Sequence, residues 1–341
     1  MRTEALQYLA CPKCGNSLVA DAEAPEPDGH ILHGTLVCAC GAHYPITGGV
    51  PRLTPENADL DITDESTLTA DRFGTEWKIF DHRADYFEQQ FLDWVAPLKP
   101  RDFAGKVVIE GGCGKGRHTQ LVARYGCKAI VALDLGSAVD VAFQQTRHLP
   151  NVHIVQGDLT RPPTARVFDL GFSVGVLHHL PVPIDGFNAL RGRLVKGGRL
   201  SIWVYGYESN EWIVRFVNPL RRHVTSRMPE NSLYWASLPP ATMLAVMLRF
   251  YRSRTLSKRL PYGAYLNYIS RFPLREVHHI MFDQLVTPVA FYLREDEVRS
   301  WFDTDALSEV AMEWHNENSW RATATVLGYE DEDASSETKT G

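Results

Sequence analysis

VVIEGGCGKG, residues 107–116, is the stretch that decides the fold. An apolar run leads to Glu110, glycines follow at Gly112, Gly114 and Gly116, and a helical pattern begins at Arg117. This reads as a buried strand, a tight turn and a helix. Glycine permits the turn and lets a ligand lie against bare backbone, while the helix aims its first amides at that ligand. The next strand-like run ends at Asp134, 20 residues after Gly114. A carboxylate there can accept hydrogen bonds from both hydroxyls of a ribose. Asp158 ends the third run, VHIVQGD, where it can meet an adenine amino group. Three carboxylates in phase with three strand ends are poorly explained by packing alone.

Outward from this centre the pattern continues. FDLGFSVG (168–175) and GRLSIWVYG (198–206) are further strands, with helical stretches at 117–125, 137–148 and 185–194 between the runs. Such alternation predicts an α/β fold with a parallel sheet and right-handed crossovers. After a helix at 294–302, the runs SEVAMEWHN and WRATATVLGY can close the sheet.

The glycine turn with Glu110, Asp134 and Asp158 resembles that of the class I S-adenosylmethionine-dependent methyltransferases, over residues 72–329. FDLGFSVGVLHHLP and LVKGGRLSIWVYG resemble that family's fourth-strand and fifth-strand segments. The resemblance implies a Rossmann-like, seven-stranded, mostly parallel sheet. It also implies S-adenosylmethionine as cofactor, with Glu110 and the glycines at its methionine part, Asp134 at the ribose and Asp158 at the adenine. Leu135, Leu159 and Ser173 are expected to line the same site. Glycines at every second position differ from the GxGxxG spacing of dinucleotide enzymes, which weakens a nicotinamide reading.

A sulfonium methyl is already activated, so the protein must mainly align a nucleophile and exclude water. His178 and His179 stand where a base would serve an acidic acceptor, or else they shape the methionine pocket. His278, His279 and Asp283 form a second polar cluster, read equally as a substrate contact or an ordinary helix end; His278 joins the candidate bases. The fourth strand ends in Ser-Val-Gly rather than the Asn/Asp-Pro-Pro-Tyr/Phe element that similar enzymes use on planar amino nitrogens. That lowers a nucleic-acid or protein-glutamine reading and favours O- or C-methylation of a small metabolite.

Residues 1–54 hold Cys11-x-x-Cys14 and Cys38-x-Cys40. Two such knuckles can place four thiolates around a structural zinc, which would offset the ordering entropy of a segment too short for its own core. LACPKCGNSL and CGAHYPITGGVPRL resemble the zinc-ribbon-like activator domains of RNA and protein methyltransferases. The CxC spacing departs from the usual CxxC, leaving open a ligand role for His43 or loss of the metal. This small β domain is expected to precede a linker at 55–71, the methyltransferase domain at 72–329 and a disordered tail at 330–341.

The chain has 341 residues, 44% hydrophobic and 22% charged, an ordinary globular composition that excludes collagen-like and wholly disordered classes. No apolar run approaches the length of a membrane span, and the first residues lack a secretory leader, so a cytoplasmic enzyme is expected. The net charge of −6 hides a basic segment at 206–276, with 11 basic residues against 4 acidic, between acidic ends. That segment lies in a helical insertion at 207–290 that mixes arginines with aromatic residues. It is read as a lid over an anionic small molecule, with a membrane-surface helix around 240–254 and a nucleic-acid groove as rival readings. Phe73-Gly74 and Glu76-Trp77 are expected to close the opposite side. An RNA or protein methyltransferase with its activator fused in cis, other sulfonium chemistry and an inactive cofactor-binding scaffold remain alternatives. Oligomeric state is not legible.

Overall fold

A computed structural model of the chain describes residues 1–54, 72, 86–252, 262–287 and 290–328. The expected linker, tail and closing residues Phe73, Gly74, Glu76 and Trp77 lie outside the described residues.

The apolar runs become central strands because both of their faces are covered. Every residue of β5 (Val107–Gly111) is buried, and in β6 (Ala129–Asp134) all but the terminal Asp134. With β7 (Val152–Gly157), β8 (Phe168–Val174) and β9 (Leu194–Tyr205) they form the parallel part of the sheet. β11 (Ser319–Val326) runs antiparallel to β9, and β10 (Leu307–His315) closes that edge. This unit has the order β7-β6-β5-β8-β9-β11-β10, so successive strands leave β5 in opposite directions. A crevice opens at such a reversal, outside the carboxyl ends of β5 and β8.

The seven strands of this unit are as expected, and the four N-terminal strands, expected as a small domain of their own, join them in one sheet of eleven. β1 (Leu18–Ala22), β2 (Gly34–Cys38), β3 (His43–Thr47) and β4 (Val50–Leu53) form an antiparallel meander. β4 then pairs in parallel with β7, Arg52 opposite Gln156 and Leu53 opposite Gly157. The N-terminal segment is therefore continuous with the main sheet. The edge of β7 offers a row of amides and carbonyls, and β4 pairs with its last two residues. Arg52 secures the junction, donating to Gln156 Oε1 at 3.0 Å and pairing with Asp140 on α4 (Ala138–Thr146). Leu36, Tyr44 and Leu53 share one core with Val155 and Phe168.

On the opposite face α1 (Tyr86–Trp94), α2 (Pro100–Phe103) and α3 (Arg117–Arg124) pack over the sheet, with Phe91, Phe103 and Phe172 in mutual aromatic contact. α5 (Pro183–Arg191) links β8 to β9. The insertion after β9 is helical: α6 (Asn218–His223), α7 (Glu230–Tyr251), α8 (Gly263–Ile269) and α9 (Leu274–Val286), before α10 (Glu295–Phe302). Arg221 ties it down. The residue is only 2% exposed, and its guanidinium donates to the carbonyls of Gln284 and Ala290 and to Asn218 Oδ1. Among the described residues no helix is long and apolar enough to cross a membrane.

Leu53→Ala removes a fully buried side chain at the β4–β7 seam and should cost about 2–5 kcal/mol in urea unfolding. A single shared transition is expected; unfolding of residues 1–54 ahead of the rest would contradict the continuous core.

Candidate cofactor and acceptor site

The turn after β5 is held by Asp134. Its Oδ2 accepts the Gly114 amide at 2.8 Å and its Oδ1 the Gly136 amide at 2.9 Å. Desolvation pushes the Asp134 carboxyl above its usual range, and these amides, with that of Leu135, pull it back. Gly112 has φ +81°, and a Cβ there would lie 2.2 Å from a methyl of Val176. No other residue fits that position. Asp158 accepts both the amide and the hydroxyl of Thr160 at 2.8 Å.

A cavity of about 1110 Å³ opens over this turn. Gly112, Gly114, Asp134, Leu135, Asp158 and Leu159 all line it. Three expected contacts stand behind the lining. Gly116 caps α3, and Ser173 Oγ donates to the Gly111 carbonyl at 2.8 Å. Glu110 is 1% exposed, accepts the Thr119 hydroxyl, and leaves Oε1 without a hydrogen-bond partner. Burial pushes its carboxyl up to about 8. The cavity wall in front of it is His118, whose Nδ1 lies 3.7 Å from Glu110 Oε1 and whose ring stacks on Phe91. Burial lowers His118 to about 3, so it is neutral. Paired carboxylates at two strand ends and a bare glycine backbone suit S-adenosylmethionine. Asp134 and Asp158 would hold its ribose and adenine, and the turn its methionine part.

The candidate bases separate. His179 lines the cavity. His178 is fully buried behind Tyr205, stacked on that ring at 3.9 Å, with Nδ1 accepting the Tyr205 amide. Burial holds it well below its usual range, hence neutral. His278 binds Ser237 Oγ and the Tyr234 carbonyl between α7 and α9, away from the lining residues. The far wall instead carries groups that the sequence reading passed over or left undecided: Trp203, Tyr205, Tyr292, Gln284 and Asp283. Tyr292 donates to Gln284 Oε1 at 2.9 Å, Gln284 to Tyr205 Oη at 3.2 Å, and Tyr205 to Asp283 Oδ2 at 3.2 Å. Aromatic residues at a strand end carry no motif. Only their convergence with the insertion reveals them.

Cys11, Cys14, Cys38 and Cys40 bring their sulfurs within 4.8 Å of one another. The Cys11–Cys40 and Cys14–Cys38 separations are 3.8 and 3.5 Å. A zinc tetrahedron with bonds of about 2.3 Å has edges of about 3.8 Å, so the set can hold zinc despite the CxC spacing. His43 is not part of the cluster.

Topology, turn and carboxylates together define a class I S-adenosylmethionine-dependent methyltransferase domain, and the family model described as "Methyltransferase domain" matches residues 109–202. Among curated proteins the chain is similar to the tRNA U34 carboxymethyltransferase of Pseudoalteromonas translucida, 31% identical over 140 residues, 40% of each chain. The protein of that name from Psychromonas ingrahamii is 32% identical over 146 residues, 41% of this chain and 42% of that one. The chain thus matches about two-fifths of the length of these relatives. Among solved structures, the magnesium protoporphyrin IX methyltransferase of Synechocystis, with bound S-adenosylhomocysteine, aligns over 75% of this chain and 93% of that one at 12% identity and a TM-score of 0.43.

The tRNA enzymes overturn the expectation of a small anionic metabolite with nucleic acid set aside. The physical reason lies in what the missing Pro-Pro element tests. It speaks only of planar amino nitrogens, and a uridine has none. The net charge of −6 was equally uninformative, because it sums regions of opposite sign.

Asp134→Ala should weaken S-adenosylhomocysteine binding in calorimetry roughly 10- to 100-fold, as expected for lost hydrogen bonds to a charged group. Metal analysis should find one zinc per chain, and Cys38→Ser should lose it and lower the melting temperature. Full zinc content in that variant would place the metal elsewhere.

Proposed function

We propose that the chain is an S-adenosylmethionine-dependent transferase that alkylates a tRNA nucleoside. The likeness to the tRNA enzymes carries this reading, and the insertion supports it. Phe216, Trp235 and Phe250 are 64–68% exposed; exposed Arg215 and Arg249 immediately precede Phe216 and Phe250, and Arg222 is exposed on α6. Arginines that meet phosphates, interleaved with rings on which bases stack, are a common single-strand RNA-binding combination.

S-Adenosylmethionine supplies an alkyl group already activated as a sulfonium. The residues of the chain bind it along the β5–β7 strand ends, and the insertion covers the acceptor half of the cavity. Residues 1–54, ordered by zinc, extend the sheet as a rigid platform. A tRNA acceptor implies action in the cytoplasm.

The test is transfer of labelled methyl from S-adenosylmethionine to total tRNA isolated from cells lacking this chain, with the modified nucleoside identified by mass spectrometry. Incorporation into a uridine is expected. The Arg215→Ala, Arg222→Ala, Arg249→Ala triple variant should raise KM for tRNA roughly tenfold and flatten its salt dependence, with S-adenosylhomocysteine affinity unchanged. Cofactor binding without any transfer to tRNA would reject the reading.

A further inference from the structure

The acceptor half of the cavity carries a carboxylate that is held from the sheet side. Asp283, on α9, lines the cavity, lies outside the cofactor turn and is in no ion pair among the described residues. Its Oδ2 accepts the Tyr205 hydroxyl at 3.2 Å; its Oδ1 has no hydrogen-bond partner among the described residues. Tyr205 is oriented by the Tyr292–Gln284 chain behind it, so the carboxylate is held from one side. A tethered carboxylate of this kind is positioned to receive a proton.

We propose that Asp283 is the catalytic residue that binds the acceptor's N–H or O–H and takes its proton during transfer, a role that rests on the tRNA reading above. In the step, an acceptor lone pair forms a bond to the transferred carbon. The C–S bond breaks with its electron pair staying on sulfur, giving a neutral thioether. The acceptor proton passes to Asp283 Oδ1, leaving a carboxylic acid that later returns it to water. No other reactant is required.

The charges around Asp283 fit this task. Tyr205 of β9, Tyr265 of α8, Tyr292 ahead of α10, His279 one turn earlier on α9 and Arg221 of α6 act on it. Desolvation raises its carboxyl above the usual range, while His279, Tyr205 and Arg221 oppose the rise. A base brought closer to neutrality transfers protons more effectively. Tyr205 is itself held well above its usual range, so it stays a hydroxyl that donates to Asp283.

Asp283→Asn keeps the shape and can still accept from Tyr205, but cannot take the proton. With methyl-labelled S-adenosylmethionine and the same total tRNA, kcat should fall at least about 100-fold, with S-adenosylhomocysteine affinity within about twofold of wild type. The rate of the wild-type protein should rise with pH through the titration of Asp283, and that limb should vanish in the variant. Tyr205→Phe removes a donor that favours the carboxylate, so its limb should move to higher pH. Wild-type kcat in Asp283→Asn, or a limb that persists there, overturns the assignment. If Asp283→Asn loses cofactor binding, the Tyr205→Phe profile decides, an unmoved limb counting against the role. A wild-type protein that binds cofactor yet modifies no tRNA rejects the tRNA reading itself, and this role with it.

Discussion

Two backbone amides on one carboxylate organise this molecule. Asp134 accepts from Gly114 and from Gly136, joining the turn after β5 to the turn after β6. The bridge adds to the bonds from the Gly112 and Cys113 amides to the Leu133 carbonyl, and together they fix a turn whose glycines restrict the backbone little. With it, two adjacent strand ends present one continuous surface to a nucleoside. The carboxylate remains enclosed because the amides offset part of its desolvation.

The acceptor side depends on a different device. Arg221 brings α6 against α9 by donating to backbone carbonyls, and this sets the insertion against the ends of β8 and β9. Breaking a buried, hydrogen-bonded cation out of such a site is costly, so the insertion is held by more than apolar contact. The wall that results combines Tyr205 from the sheet with Asp283 and Gln284 from α9. Its parts lie some 80 residues apart in sequence.

Much of the cofactor half was legible from local pattern. Apolar runs ending in Glu110, Asp134 and Asp158 are strands because both faces are buried, and their phase put the carboxylates at one rim. The cysteine knuckles were legible for a similar reason: thiols at short spacing converge even where one spacing is unusual. The histidines illustrate the opposite case. His178 and His179 are neighbours in sequence, yet a 3₁₀ turn at Leu177–His179 leaves one behind Tyr205 and one facing the cavity. Spacing alone does not separate them.

By itself the sequence determined the class of fold, the glycine turn suited to the cofactor and the four thiols that can hold zinc, because strand, turn and knuckle are short-range structures with their own residue requirements. Tertiary structure decided two further matters. It joined residues 1–54 to the main sheet, because the free edge of β7 needed partners that β4 supplied. It also brought Asp283 against Tyr205 on the acceptor side, because only the packing of the insertion on β9 brings those residues together.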